Sequence, residues 1–306
     1  MSACRVGLLA LGARPDDGAG GARLAPAARH RAVIESAAAA ERLGFDAVWL
    51  ADALGDAEDV PPTPAVVLAA IAARTERVRL GVCAVLRAGV DPLRLAEDTA
   101  TLDALSGGRL EVGAGLLGAS APGAESAERP DPEPEAAARI GEGVELLRRL
   151  WTETEVSWAG RFRAPLERVT VEPRPVQRPH PPLWIAGASA QAADLAARLG
   201  LPLLLPSSPA PPERLVLLVD RYREQAARAG RPARVGACSA VRLAGPSAEA
   251  GAELADRLLA ARAALGLELQ LLAFDPGAVP EPERGEALAR LASAVLPRLA
   301  APGAVG

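Results

Sequence analysis

The chain has 306 residues, half of them hydrophobic, with 34 basic and 38 acidic residues and a formal net charge of -4. That is enough apolar sequence for a large core, and α/β barrels use about 250 residues as one unit. The slightly acidic balance argues against a nucleic-acid binder, which needs a basic surface, and no apolar run approaches the roughly 20 residues that span a bilayer. Taken in chain order, short apolar runs alternate with longer, alanine-rich amphipathic segments. The spacing predicts a strand over 5–11, a helix over 27–43 stopped by Gly44, a strand over 47–51 and a helix over 62–74. A strand over 78–86 leads to Asp91 and Pro92, a cap followed by a first-turn proline, and a helix that ends at Ser106-Gly107-Gly108. A strand over 110–115 is followed by a Gly-, Pro- and Glu-rich loop over 116–135 and a helix over 135–151.

The stretch 152–182 is proline-rich and expected to be only partly regular. After it come strands over 183–187, 202–206, 234–243 and 268–274, each followed by a helix, over 189–199, 211–229, 247–265 and 283–299. Eight strands and eight helices thus alternate strictly. Many of the strands are continuous apolar runs, as in a parallel sheet covered by helices. Eight units point to a closed (β/α)8 barrel rather than a doubly wound open sheet. In such a barrel the active site lies at the C-terminal ends of the strands.

What the sequence lacks narrows the chemistry. It contains no lysine and no asparagine, so every basic residue is arginine and a Schiff-base lysine is excluded. Histidine occurs only at His30 and His180, which argues against a multi-histidine metal centre, and no metal is expected. Cys4, Cys83 and Cys238 are widely spaced with no CxxC pair, which predicts reduced thiols. The N-terminus carries no basic leader before its first strand, so a cytoplasmic protein is expected.

Several stretches resemble the bacterial-luciferase-like flavin oxidoreductase family. They are Glu41-Arg42-Leu43-Gly44-Phe45-Asp46-Ala47-Val48-Trp49, Arg79-Leu80-Gly81-Val82-Cys83-Ala84-Val85-Leu86, Asp91-Pro92-Leu93-Arg94-Leu95-Ala96-Glu97-Asp98 and Leu102-Asp103-Ala104-Leu105-Ser106-Gly107-Gly108-Arg109. The lead from Pro173 through His180 to Gly187 and the run Gly200-Leu201-Pro202-Leu203-Leu204-Leu205 complete the set. Together they cover about residues 40–206, and their order and spacing carry more than any one of them. The resemblance implies one luciferase-like barrel domain over 1–306. It also implies reduced FMN, or alternatively coenzyme F420, as cofactor. A small organic substrate, a flavin reductase supplying reduced FMN, and a homodimer or heterodimer through helices near the second and third strands follow from it too.

The site residues implied by the resemblance are these. Gly187, Ala188, Ser189, Ala190 and Gln191 open the helix after the fifth strand and would hold the cofactor phosphate, although any such turn may carry a plain serine cap. Cys83 and Ala84 would lie beneath the flavin ring, joined by a cis peptide. Asp52 is the candidate base, because the histidine common one residue later in similar enzymes is Ala53 here. The arginine that pairs with the phosphate after the fourth strand is absent from Gly113-Ala114-Gly115-Leu116-Leu117, leaving Arg87 or Arg242 as substitutes. Loop 116–135 is the candidate lid, Arg109 is expected to be structural and His180 is not expected to be catalytic. With the usual histidine and arginine missing, a non-catalytic subunit is the alternative; Leu54, Leu116 and Leu117 filling the pocket would favour it.

Overall fold

The computed structural model describes residues 4–10, 25–51, 63–84, 86, 90–115, 134–206, 212–243, 251–276 and 279–299. The order is β1 (Arg5–Ala10), α1 (Pro26–Leu43), β2 (Ala47–Ala51), α2 (Pro64–Ala72), β3 (Arg79–Ala84), α3 (Pro92–Leu105), β4 (Leu110–Gly115) and α4 (Pro134–Thr152). It continues with β5 (Val156–Trp158), β6 (Leu166–Val169), β7 (Leu183–Ala186), α5 (Ala190–Leu199), β8 (Leu203–Leu205) and α6 (Pro212–Arg228). β9 (Val235–Ala240), α7 (Gly251–Leu265), β10 (Leu269–Phe274) and α8 (Glu281–Leu299) end the series. Eight parallel strands close in the order β1-β10-β9-β8-β7-β4-β3-β2, so the predicted (β/α)8 barrel is the observed fold.

Local chemistry sets the element ends. Gly44 takes a left-handed φ of 93°, and the Phe45 N–H turns back to the Ala40 carbonyl at 3.0 Å, ending α1. Asp91 accepts from the Leu93 N–H at 3.1 Å and Pro92 follows it, starting α3. Along each strand alternate residues part company. Val6, Leu8 and Ala10 join the shell between sheet and helices, while Leu9 joins the barrel interior.

The stretch 152–182 holds more order than its prolines suggest. β5 and β6 pair antiparallel, outside the barrel. The tip of this hairpin docks on the N-terminal half of α4, where the Glu142 carboxylate accepts from the backbone N–H groups of Arg161 (2.8 Å) and Phe162 (3.1 Å). Arg163 reaches Asp91 at 3.2 Å, so the hairpin also braces the start of α3. Among the described residues no helix is long and apolar enough to cross a membrane.

The barrel interior is solid. Trp49 and Trp184 meet edge to face at its centre, with ring centroids 6.4 Å apart. They fit because nearby strands carry glycine, β3 directly beside Trp49 and β9 two strands from Trp184. A Cβ on Gly81 would stand 1.9 Å from the Trp49 ring, and one on Gly236 would stand 3.0 Å from Trp184. Beneath them, at the N-terminal end, Glu111 is buried in the barrel and bonded to Arg5 and Arg79. Its second oxygen accepts from Trp184 Nε1 at 2.9 Å. Arg79 passes the network on to Gln177 at 3.0 Å, and Gln177 bonds Asp103 at 2.7 Å.

Candidate functional site

The opposite end of the barrel is built differently. Towards the C-terminal end the inward positions are Leu9, Ala51, Cys83, Gly115, Ala186, Leu204, Cys238 and Ala273. All but Leu9 and Leu204 are small, so the floor of the C-terminal mouth is apolar and mostly low-walled. A flat, largely apolar group can rest on it. Cys83 is buried there, its sulfur 3.3 Å from where a Cβ on Gly113 would lie. Cys4, Cys83 and Cys238 are free thiols, as their spacing predicts.

Polar groups reach this mouth from strand ends. After β7 the Gly187 N–H is held by the Leu204 carbonyl at 2.9 Å, and the chain bends at Ala188 and Ser189. Ser189 then takes an extended conformation (φ -131°, ψ 161°), and its Oγ accepts from the Ala192 N–H at 3.2 Å. The first intrahelical bond of α5 runs from the Ala193 N–H to the Ser189 carbonyl at 3.1 Å. The N–H groups of Ala190 and Gln191 therefore precede the helical ladder. They stand at the positive end of the helix dipole, where an anion is stabilised. Gln191 Oε1 is buried with no hydrogen-bond partner in this structure. A buried acceptor without a donor is costly, and a ligand carrying a hydroxyl or amide N–H would satisfy it. The five predicted residues 187–191 thus form one turn at the rim, and serine capping and anion binding are compatible there. The first-turn N–H groups fit an anion such as a flavin phosphate, and the Gln191 oxygen fits a hydroxyl or N–H beside it.

Other predicted residues fall elsewhere. Asp52, Ala53, Leu54, Arg87, Leu116, Leu117 and nearly all of loop 116–135 lie outside the described residues. The expected cis bond between Cys83 and Ala84 falls at the margin of the described residues. Elsewhere among the described residues the cis bonds are Glu172–Pro173 and Arg178–Pro179. Arg109 sits at the closed end and donates to the carbonyls of Ala72 (3.1 Å), Thr75 (2.9 Å) and Val78 (3.1 Å), a structural tie as expected. His180 precedes β7 at that same end, its ring tilted against Trp151 with centroids 5.8 Å apart, and burial pushes its pKa down.

Sequence reasoning missed two groups. The first is the buried carboxylate of Glu111. Burial pushes its pKa up, but the hydrogen bond and charge of Arg5, the charge of Arg79 and the Trp184 N–H outweigh that and hold it low. The second is the pair Arg257 and Arg284 on the outer helices. Arg257 donates to the Ala240 carbonyl at 3.0 Å, and Arg284 to those of Pro276 (2.9 Å) and Val279 (3.2 Å). They pin the chain where β9 and β10 reach the mouth. The inward-outward alternation of each strand is the signal that points to Glu111, since its neighbours Leu110 and Val112 both face outward. No sequence signal marks Arg257 or Arg284. Among the described residues no cluster of side chains could hold a metal ion.

Comparison with known proteins agrees with this architecture. The family model of luciferase-like monooxygenases matches residues 5–300. The chain is 30% identical over 173 residues to the oxygenase component of flavin-dependent trigonelline monooxygenase from Acinetobacter baylyi, covering 55% of this chain and 46% of that protein. It is 33% identical over 181 residues to F420-dependent glucose-6-phosphate dehydrogenase from Intrasporangium calvum, covering 56% of this chain and 52% of that protein. These matches span about half the length of the curated relatives. The crystal structure of monooxygenase RslO1 from Streptomyces bottropensis superposes with a TM-score of 0.73 at 28% identity, covering 96% of this chain and 99% of that one. A closed eight-stranded parallel barrel and a family match over nearly its whole length place this chain in the luciferase-like monooxygenase family.

Proposed function

We propose that this protein is a flavin-dependent monooxygenase that acts on a small organic substrate with reduced FMN and oxygen. The observation that carries the reading is the α5 N-terminus at the rim, with Ser189 as its cap and the buried Gln191 Oε1 lacking a donor, beside an apolar floor of small residues. Gly187, Ala188, Ser189, Ala190 and Gln191 would hold the phosphate end of the cofactor, mainly through backbone N–H groups. Cys83 and Ala84 would lie beneath its ring. The bound flavin would supply the redox chemistry. The protein's part is to fix the cofactor's orientation, exclude water from the apolar mouth and take up a proton. Asp52, next after β2, is the residue proposed for that last role.

A flavin reductase would deliver reduced FMN, and the working form would be a cytoplasmic dimer. The F420-dependent relative makes F420 the second cofactor to test, with hydride transfer and no oxygen. The deciding experiment is an anaerobic titration of the purified chain with reduced FMN, with F420 run beside it. Saturable micromolar binding of FMN is expected. Binding of F420 alone would replace oxygenation by hydride transfer. Binding of neither by a folded chain would overturn the enzyme reading in favour of a non-catalytic subunit.

A further inference from the structure

Described residues that follow a barrel strand within two positions include two charged ones, Arg242 after β9 and Asp275 after β10. Alternation gives both the same facing. On β9, Cys238 belongs to the interior, and Val241 packs outward against the helices. On β10, Leu271 and Ala273 belong to the interior, and Phe274 packs outward. The next residue on each chain, Arg242 and Asp275, therefore falls on the side of the mouth. The two strands are neighbours, paired through Ala240 and Ala273, so opposite charges leave adjacent strands about 5 Å apart at one level.

The backbone under this pair is fixed from outside. Arg257 on α7 holds the Ala240 carbonyl, two residues before Arg242. Arg284 on α8, itself buried, holds the Pro276 carbonyl, one residue after Asp275. Held backbone is what a recognition group needs, because a fork that wanders loses its directional bonds. The pair also stands apart from the turn at 187–191. In the closed strand order β9 and β10 lie directly across the barrel from β3 and β4, and β9 is two strands from β7.

We infer that Arg242 and Asp275 form the polar wall of the substrate pocket and select an organic substrate that carries a carboxylate on an apolar body. Arg242 receives the carboxylate and Asp275 orients the guanidinium. A guanidinium has five N–H donors in a planar fork, so it can meet an acidic neighbour and still present a pair of parallel donors to a ligand. The small apolar floor of Cys83, Ala186 and Ala273 receives the remainder of the molecule. The inference rests on the rim being the substrate-facing end, as proposed above, and names the class of substrate.

The test is direct binding of benzoate and of its uncharged analogue benzamide to the full chain, by calorimetry, with and without saturating FMN. Benzoate is expected to bind more tightly than benzamide. Arg242→Gln is expected to weaken benzoate by about tenfold or more, the loss of a charge-assisted bidentate contact, and to leave benzamide unchanged. Arg242→Lys, which keeps the charge and loses the fork, should fall between, and Asp275→Asn should weaken benzoate severalfold. FMN affinity should stay within about threefold in all three variants, a change below 1 kcal/mol. Equal binding of benzoate and benzamide, or benzoate binding untouched by Arg242→Gln, overturns the inference. So does a variant that loses FMN and keeps benzoate, which would make Arg242 a cofactor-phosphate ligand. Failure of FMN to bind the parent chain defeats the flavin reading alone, because the benzoate arm is read without it.

Discussion

The two ends of this barrel carry their polar groups in opposite ways. At the N-terminal end, Glu111 is enclosed by Arg5, Arg79 and the Trp184 N–H, and the network runs on through Gln177 to Asp103. Each of these side chains has a partner within the protein. At the C-terminal end the inward layer is mostly small and apolar, and the polar groups sit above it, on the 187–191 turn and the ends of β9 and β10. There the structure leaves first-turn N–H groups and a buried amide oxygen to be met by something else. A closed network stabilises the fold. A set of incompletely met donors and acceptors over an apolar floor is poised for a ligand. The division agrees with the general behaviour of (β/α)8 barrels, in which chemistry lies at the C-terminal face and the other face serves stability.

Glu111 gives the sharpest way to break the closed end. Glu111→Ala would leave two guanidinium groups without their central carboxylate and the buried Trp184 Nε1 without an acceptor. Removing one member of a buried ion pair costs about 3–5 kcal/mol. Arg5 and Arg79 are each nearly a third exposed, which places the expected loss near the lower figure. Urea denaturation at neutral pH should show it as a lower midpoint. The acid limb gives a second reading. The folded pKa of Glu111 is held below its ordinary value of 4.5, so the folded state binds fewer protons than the unfolded one below that pH. Stability from this group is present above the ordinary value and is lost as pH falls through the folded pKa. Part of the parent's loss of stability below about pH 4.5 should therefore vanish in Glu111→Gln. An unchanged acid limb would show that the carboxylate is not held as described.

The middle layer is the next target. The hypothetical Cβ on Gly81 lies 1.9 Å from the Trp49 ring, which is fully buried and has nowhere to go. Overpacking of this kind costs about 1–3 kcal/mol, and a rigid ring puts the expected value for Gly81→Ala at the upper end. Gly285 in α8 is the control. No atom lies within 4 Å of its hypothetical Cβ, so Gly285→Ala should stabilise by about 0.5–1 kcal/mol through helix propensity. Thermal melts of the two variants should move in opposite directions. Equal shifts would mean that Trp49 does not press on β3.

Much of this architecture is legible in the chain because its signals are local. Apolar runs, Asp91-Pro92, Ser189, Gly44 and Gly200 mark element ends with chemistry confined to a few residues. β5 and β6 escape such a reading. They have three and four residues, with mostly exposed faces, and lack the alternation that marks a half-buried strand. Glu111 escapes for another reason. Its partners Arg5 and Arg79 lie 106 and 32 residues away, and a single carboxylate in an apolar strand has no meaning until closure brings them together. At the rim, Ser189 is visible as a cap, but the buried Gln191 oxygen depends on packing that no motif encodes.

The smallest effect on stability carries the clearest statement about the rim. Ser189 caps α5 through a bond to the Ala192 N–H, so Ser189→Ala should cost about 1 kcal/mol of stability. Ser189→Asp should cost almost nothing, because aspartate caps as well as serine does. Their effects on FMN should run the other way. Alanine leaves the N–H groups of Ala190 and Gln191 in place, and affinity should fall only a few-fold. Aspartate sets a carboxylate where the phosphate would sit, and like charges at close range should reduce affinity by about tenfold or more. A variant that is as stable as the parent and blind to FMN separates the anion site from the helix cap. If instead both variants lose FMN in proportion to their loss of stability, Ser189 is a cap alone and the phosphate lies elsewhere on the rim.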